Sequence, residues 1–385
     1  MHEGSSERVL LVSQKEDGTA VFENEESSLY FSNMLSCSHV NLLLGAGFSY
    51  GKVPTLGDRE KWAERLEILD LKEREIAHNL ISFELCRSII LPTLRAVPDS
   101  VHLRLCRDLR RLIQARGTIT IPKRACIFTT NYDPIIELSL EEEGCLFNDG
   151  FEGRNNPRFE TRSFDKLQYV QSLSMEYASQ VPTINVIKLH GSVTWKRDVG
   201  DGGITYLTRD KVGHEIETEI DALSDILHEP LSVLSNEQNE ESLRILLECI
   251  DDIDGATKGK LANFQRLYSS QFCIVNPNKK KFADTVLGLT YYELLRLYAN
   301  ELDRNNSLLI AFGFSFADEH IAEITRRALE NPKLILIIFC HTKSDYASCS
   351  EIFPVEHNVR FVATESDNEE VTLDALCDLL EGVLR

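Results

Sequence analysis

Seven short apolar segments, bounded by turn residues, alternate with long stretches of helical character along the chain. The segments lie at residues 40–45, 125–129, 184–189, 272–275, 307–312, 334–339 and 359–362. Their apolar character is continuous rather than alternating, which is typical of strands that are covered on both faces in a parallel sheet. The strand-to-helix spacing predicts crossover connections between them. We therefore predict an α/β fold built on a doubly wound parallel sheet.

Two intervals between these segments are too long to be simple crossovers. Residues 58–120 and 200–270 both carry apolar residues at three- and four-residue spacing, which is the spacing of amphipathic helices. We expect both intervals to be helical insertions that pack together as a smaller lobe over one edge of the sheet. A ligand cleft would then lie between the lobe and the sheet.

The predicted domain that contains the sheet spans residues 40–363. Residues 1–39 form an N-terminal extension, in which the alternating pieces at residues 8–12 and 19–22 could pair as a hairpin. Residues 364–385 are expected to form a C-terminal helix or tail.

Charge and length narrow the functional class. The chain has 385 residues, of which 61 are acidic and 41 basic, giving a net charge of −20. This acidity argues against a broad phosphate-binding surface, so we expect no direct contact with nucleic acid. No apolar run approaches the ~20 residues that span a bilayer, and the N-terminus lacks the pattern of a secretory signal. We predict a cytoplasmic protein that makes no membrane contact.

The ten cysteines show neither C-x-x-C nor zinc-finger spacing. Several lie inside apolar strands, among them Cys126, Cys273 and Cys340. We interpret them as small buried apolar residues in a reducing compartment and expect no metal site.

The first strand is followed by a glycine-rich cluster with the sequence Gly-Ala-Gly-Phe-Ser at residues 45–49. Glycines at the end of a strand let backbone N–H groups approach a diphosphate, although the same sequence also suits a tight turn without a ligand. The dehydrogenase fingerprint is broken, because its third glycine would fall at Tyr50. This weakens a hydride-transfer function but not nucleotide binding.

Polar residues also follow the second and third strands. Asn131 could hold a ribose hydroxyl or orient a water, and Asp133 could bind the glycine turn or the ligand. Both could instead cap the next helix, for which Pro134 is a suitable first residue. The third strand ends at His190 and Gly191, and histidine is the side chain that most readily exchanges a proton near pH 7.

A fourth cluster, residues 313–320, follows the strand at residues 307–312. Gly313 and Ser315 could bind a second ribose or the adenine edge. Asp318 could act only as the N-cap of the next helix, and we interpret His320 as structural.

Taken in order, Gly-Ala-Gly-Phe-Ser, Thr-Asn-Tyr-Asp and Leu-His-Gly-Ser resemble the motifs of the sirtuin-like NAD-binding domain. Residues 129–133, residues 188–192 with Trp195, and the late cluster at residues 313–318 are similar to the bacterial branch of that family, which is found in antiphage defence systems. The resemblance extends over most of the chain. It implies a Rossmann-like domain with a small helical lobe that binds NAD⁺.

The resemblance also implies roles for the matching residues. His190 would be the catalytic histidine, and Asn131 would contact the nicotinamide ribose or the attacking water. The other NAD⁺-binding positions would be Gly45, Ala46, Gly47, Ser49, Thr130, Asp133, Gly191, Gly313 and Ser315. The four-cysteine zinc ribbon of deacylating sirtuins is missing, so no zinc is expected, and the lack of the usual Asp-Phe-Arg argues against an acyl-lysine tunnel.

The activity implied by this resemblance is NAD⁺ hydrolysis to nicotinamide and ADP-ribose, with NAD⁺ as the substrate, in antiviral defence by NAD⁺ depletion. Such an activity would need gating, by homo-oligomerisation or by a partner such as a HerA-like hexameric ATPase and DNA translocase. Two alternatives use the same scaffold: a deacylase or ADP-ribosyltransferase, and a non-catalytic subunit that senses NAD⁺ or ADP-ribose.

Overall fold

The computed structural model describes ten ranges of the chain, namely residues 9–15, 17–54, 71–116, 121–171, 178–198, 203–234, 240–274, 285–353, 358–365 and 369–384. The strands in these ranges are β1 (Val9–Gln14), β2 (Ala20–Phe22), β3 (His39–Leu44), β4 (Arg124–Thr129), β5 (Phe147–Asn148), β6 (Phe151–Glu152), β7 (Arg158–Phe159), β8 (Tyr169–Gln171), β9 (Ala178–Gln180), β10 (Thr183–Lys188), β11 (Gly191–Ser192), β12 (Trp195–Arg197), β13 (Ile204–Tyr206), β14 (Cys273–Ile274), β15 (Ser307–Phe312), β16 (Leu334–Phe339) and β17 (Val359–Ala363).

The helices of the described ranges are α1 (Glu25–Cys37), α2 (Leu71–Leu85), α3 (Leu91–Arg95), α4 (Ser100–Gln114), α5 (Ile135–Glu142), α6 (Arg209–Ser224), α7 (His228–Leu234), α8 (Glu240–Asp252), α9 (Gly255–Gln271), α10 (Thr285–Leu302), α11 (Glu319–Ala328), α12 (Lys343–Ile352) and α13 (Leu373–Leu384). A π-helical turn at Cys86–Ile90 joins α2 to α3. None of these helices is long and apolar enough to cross a membrane.

A nine-stranded sheet with the order β2-β1-β17-β16-β15-β3-β4-β10-β5 forms the centre of the fold. Every neighbouring pair in it is parallel except β1 and β2. Six of the seven apolar segments form the strands β3, β4, β10, β15, β16 and β17 of this sheet. The predicted α/β class with a mostly parallel sheet is therefore confirmed.

The two faces of the sheet are covered by separate apolar clusters, which explains the continuous apolar character of its strands. Leu42 and Leu44 of β3 belong to the cluster that α1, α4, α5 and α13 cover. Leu43, between them, belongs to the cluster on the opposite face, which α10, α11 and α12 cover. All three leucines are almost completely buried. Neither face of the strand is available to a polar side chain at these positions.

The segment at residues 272–275 does not join the central sheet, so the prediction of a central strand there was wrong. Its described part forms β14, which pairs antiparallel with β11 just after the end of β10. The position beside β10 in the central sheet is taken by β5, whose Phe147 pairs with Ile184. A short apolar run does not show which strand it will pair with. Here the free edge of β10 is occupied by β5, and β14 pairs with β11 instead.

The helical insertions form a lobe with its own apolar core. This core is built from α2, α3 and α6–α9, and its most buried members include Phe83, Ile216, Leu246 and Leu261. Helix α4, which we expected in this lobe, instead buries Leu105 and Leu109 against the central sheet. Of the predicted insertions, residues 58–70, 117–120, 200–202 and 235–239 lie outside the described residues.

The N-terminal strands extend the central sheet. β1 and β2 form the predicted antiparallel hairpin, in which Val12 pairs with Phe22, while β1 also pairs in parallel with β17. Residues 1–8, including the first residue of the predicted hairpin, lie outside the described residues. Helix α13 forms within the predicted C-terminal segment and packs against β2 and α4.

An ion-pair network joins the two ends of the described chain to α4. Arg104 donates to Asp378 from Nη2 at 2.5 Å and to Glu381 from Nε at 2.7 Å. The other oxygen of Asp378 accepts the backbone N–H of Ala20 at 2.8 Å. The Asp378 side chain is only 11% exposed, whereas the Asp374 side chain on the same helix is 69% exposed and lies 3.7 Å from Arg104.

We expect Asp378→Ala to lower the free energy of unfolding by about 1–3 kcal/mol, because it leaves a buried N–H and a partly buried guanidinium without their acceptor. Asp374→Ala is the matched control and should change it by less than about 0.5 kcal/mol, because an exposed ion pair contributes little. Urea unfolding of both variants tests this. Equal losses would show that the network is not centred on Asp378.

Candidate functional site

Four neighbouring strands of the sheet, β15, β3, β4 and β10, end at one edge. Their last residues are Phe312, Leu44, Thr129 and Lys188, and each is the register partner of the last residue of the next strand. The turns that follow therefore start side by side. This register brings together the four clusters that the sequence places after separate strands.

The glycine turns after β3 and β15 touch through their backbones. The N–H of Gly45 donates to Phe312 O at 3.1 Å, and the N–H of Gly47 donates to Gly313 O at 3.0 Å. A Cβ on Gly47 would lie 2.5 Å from Gly313 Cα, and Gly313 has a φ of +60°. The lack of side chains at these positions therefore serves the contact between the turns.

These contacts alter the predicted role of the glycines. The N–H groups of Gly45 and Gly47, which we expected to face a diphosphate, are engaged within the protein. Ala46, between them, is exposed. A diphosphate at this turn would therefore have to contact groups other than the N–H groups of Gly45 and Gly47.

Asn131 is placed by the first glycine turn. Its side-chain amide nitrogen donates to Gly45 O at 2.9 Å and to Ser49 Oγ at 3.2 Å, and its backbone N–H donates to Thr129 Oγ1 at 3.0 Å. The two amide hydrogens are thereby used, while Oδ1 makes no hydrogen bond within the described residues. The half-buried Asn131 side chain thus offers an acceptor for a hydroxyl group or a water.

Ser49 and Asp133 lie beneath the turn rather than facing outward. Ser49 Oγ donates to one carboxylate oxygen of Asp133 at 2.8 Å, and the other oxygen accepts the N–H of Ile135 at 3.0 Å. Both side chains are buried, each 3% exposed. Asp133 therefore caps the start of α5 and holds the glycine turn, which fits the capping alternative and not the direct ligand contact expected for these two residues.

His190 lies half-buried two residues after the end of β10, with its ring 6.4 Å from the ring of Tyr132. Its Nε2 lies 3.1 Å from Asp318 Oδ2. Burial raises the pKa of Asp318, but the hydrogen bond and charge of His190 outweigh it and hold the pKa at about 2. The carboxylate is therefore ionised at neutral pH, so Nε2 carries the proton. The other ring nitrogen, Nδ1, makes no hydrogen bond within the described residues and can accept a proton.

Asp318 is the functional residue that the sequence analysis missed. Its Oδ1 caps α11 by accepting the N–H groups of His320 and Ile321, at 3.0 and 3.2 Å, which leaves Oδ2 for His190. The sequence indicates the N-cap as one possible role for Asp318 and no partner for its second oxygen. The signal in the sequence was its position in the cluster after β15, since a carboxylate has two oxygens and can serve a helix and a neighbour together.

The remaining predicted residues are spread around this centre. Gly191 is buried at a φ of +79° and pairs with Ile274, so it shapes the turn after His190. Ser315 is exposed, and its Oγ accepts the N–H of Ala317 at 3.4 Å. Thr130 is half-buried next to Asn131. Across the described residues, no group of three or more His, Cys, Asp or Glu side chains is placed to hold a metal ion.

His102, which the sequence analysis did not single out, supports the first glycine turn from α4. Its Nδ1 accepts the N–H of Asp99 at 3.0 Å, which fixes the neutral tautomer with the proton on Nε2. That Nε2–H then donates to Phe48 O at 2.9 Å. The imidazole is 3% exposed and packs edge-on against the Phe48 ring. It holds the turn in place and does not face the site.

We expect Gly313→Ala to be strongly destabilising, because its Cβ would meet Gly47 Cα at 2.5 Å. The matched control is Gly144→Ala, since Gly144 has the same φ of +60° but nothing within 4 Å of an added Cβ. The control should cost about 1–2 kcal/mol from the left-handed backbone alone, and Gly313→Ala should cost about 1–3 kcal/mol more from the clash. Chemical unfolding of both variants measures the difference, and equal costs would refute the contact between the turns.

The comparisons with known proteins give no indication of function, so a function has to be argued from the geometry of the site. No protein-family model matches the chain, and no curated protein matches it in sequence.

Proposed function

We propose that this protein is an NAD⁺ hydrolase, which cleaves the bond between nicotinamide and ribose to give nicotinamide and ADP-ribose. The observation that carries the proposal is the meeting of both glycine turns, Asn131 and the His190–Asp318 pair at the carboxyl ends of four neighbouring parallel strands. Open α/β sheets bind their ligands at this edge.

The strand order supports a dinucleotide ligand. Numbered from β3 along the chain, and with the two-residue edge strand β5 left out, the strands β10-β4-β3-β15-β16-β17 have the order 3-2-1-4-5-6 of the Rossmann fold. The order reverses between β3 and β15, and dinucleotides bind at such a reversal. The contact between Gly47 and Gly313 lies at this point. We therefore infer a Rossmann-like, doubly wound domain. From the resemblance of its motifs alone, we propose that it belongs with the sirtuin-like NAD⁺-binding proteins.

In the proposed reaction the bond between nicotinamide and the ribose C1′ breaks, and its electron pair leaves with neutral nicotinamide. The ribose becomes oxocarbenium-like, as in glycoside cleavage. A water then adds to C1′ while His190 Nδ1 accepts its proton, which contributes about 10²–10⁴ in rate. Because Asp318 holds Nε2–H, Nδ1 is the nitrogen left to act as the base.

Asn131 would position the reactants through its Oδ1. Because its amide group is fixed by Gly45 O and Ser49 Oγ, the oxygen has one orientation relative to the glycine turn. An acceptor held in this way can bind a ribose hydroxyl or the attacking water and orient it toward C1′. Its contribution is geometric, since the amide carries no charge.

The proposal extends to the biological setting through the sequence resemblance alone. NAD⁺ depletion in the cytoplasm as an antiviral defence needs an inactive state, so we propose gating by homo-oligomerisation or by a partner of the HerA-like hexameric ATPase class. Incubation of the purified protein with NAD⁺, alone and with such a partner, separates an enzyme that is active alone from one that needs activation.

We expect His190→Ala and Asn131→Ala each to abolish NAD⁺ loss while the protein remains folded, because one removes the base and the other the positioning acceptor. Chromatography of NAD⁺, nicotinamide and ADP-ribose measures the activity, and thermal unfolding checks the fold. Hydrolysis at the parent rate by both variants would refute the assignment.

The product formed by the parent protein separates the three candidate functions. Free ADP-ribose supports the hydrolase, and a modified acceptor would indicate a transferase. Stabilisation by the ligand without turnover would indicate a sensor.

Asp318→Asn should keep the cap of α11, because asparagine caps helices as well as aspartate, but it removes the charge that fixes the His190 tautomer. We expect kcat to fall by about 10²-fold or more, because the proton is no longer held on Nε2 of His190. A kcat equal to that of the parent would show that Asp318 serves only the helix.

A further inference from the structure

Lys188 is a buried cation beneath the site that the proposed reaction does not use. It is the last residue of β10 and precedes His190 by two positions. Only 2% of it is exposed. Burying an ammonium group is costly unless it is paired and hydrogen-bonded. The groups that bind the Lys188 ammonium group therefore show which part of the structure it holds.

Those partners all belong to the chain that follows β4. Lys188 Nζ donates to the backbone carbonyl of Asp133 and, at 3.5 Å, to that of Asn131. It also forms an ion pair with Glu137 Oε1 of α5 at 3.1 Å. One ammonium group therefore fastens the end of β10, the turn that carries Asn131 and the first part of α5 to one another.

Glu137 depends on Lys188 in turn. Its carboxylate is buried, and Oε2 has no hydrogen-bond partner among the described residues. Burial raises the pKa of Glu137 to about 7, while the neighbouring Lys188 acts in the opposite direction. A carboxylate with one oxygen unpartnered adds little stability in this place. Its evident use is to hold the Lys188 ammonium group in place beside the two carbonyls.

We propose that Lys188 is a positioning residue, which uses its ammonium group to fix the Asn131 turn relative to His190. The catalytic consequence rests on the proposed function, whereas the structural one does not. A lysine suits this task because a compact ammonium group can donate to three acceptors at once. Without it, the carbonyls of Asn131 and Asp133 lose a shared donor. The turn is then held to the chain after β10 by fewer hydrogen bonds, from Leu189 N–H to Thr129 O and from Val193 N–H and Ser192 Oγ to Tyr132 O.

The fold contains a matched control at the opposite end of the same two strands. Arg124 is the first residue of β4 and pairs in register with Thr183, whereas Lys188 pairs with Thr129 at the far end. Arg124 is also buried, 7% exposed, and its Nη2 donates to Glu301 Oε1 at 2.7 Å. Five residues of strand separate the two ion pairs along the sheet, which is roughly 17 Å.

The experiment compares Lys188→Met, Arg124→Met and the double variant Glu137→Gln/Lys188→Met. Amide hydrogen exchange is followed by mass spectrometry in peptides that cover residues 129–135, and NAD⁺ turnover is measured at pH 8 with kcat and KM resolved. The double variant removes both charges of the Lys188–Glu137 pair, so it keeps the test decisive if Lys188→Met alone fails to fold.

We expect Lys188→Met and the double variant to accelerate exchange in residues 129–135 by at least about tenfold. kcat should fall by about 10–100-fold while KM stays within about threefold, since a small displacement of a positioned group affects the reaction more than binding. Arg124→Met should lower the melting temperature but leave both readouts close to the parent.

Two results would overturn the inference: equal exchange at residues 129–135 in the Lys188 and Arg124 variants, or parent exchange and kcat in the double variant. The second result would mean that the effect of Lys188→Met came only from the unpaired charge left on Glu137. If the parent protein shows no NAD⁺ turnover under any condition, the proposed function fails, and the exchange measurement alone decides the role of Lys188.

Discussion

The site depends on a backbone-to-backbone contact between the turns that follow β3 and β15. Two N–H···O bonds join Gly45 to Phe312 and Gly47 to Gly313, at a separation that no Cβ would permit. The contact is possible because the two strands end in register. Asn131 takes its position from the same turn, through Gly45 O. The edge of the sheet is thus organised by main-chain geometry first, and the Asn131 side chain is placed by it.

Buried polar side chains around this edge serve the main chain more than the ligand. Asp133 caps α5 while it holds Ser49, His102 donates to Phe48 O, and Lys188 donates to two carbonyls of the turn after β4. Each of them would pay a desolvation cost without these partners. Among the residues that the structure describes, His190 Nδ1 and Asn131 Oδ1 are polar atoms of this edge without a protein partner. Under the proposed function, this separation of supporting from reactive groups is what a preorganised site requires.

The helical lobe is attached next to His190. Strand β11, which begins directly after His190, pairs with β14 at the end of the lobe, and Val193 and Tyr132 pack into the lobe's core. A displacement of the lobe would therefore act on the chain at both β4 and β10. Under the proposed function, this attachment gives a partner or a second subunit a mechanical route to the catalytic histidine, without contact at the site itself.

The sequence by itself determined the fold class, most of the central strands and the four clusters at their ends, because continuous apolar runs and strand-end glycines are local patterns. It did not determine that β14 would leave the sheet, that α4 would cover the sheet rather than the lobe, or that Ser49 and Asp133 would point inward, since each outcome depends on which neighbour occupies the space. The roles of Asp318 and Lys188 were likewise decided only by the tertiary structure. Their partners lie far away along the chain, and pairing across such distances arises only when the strands come into register.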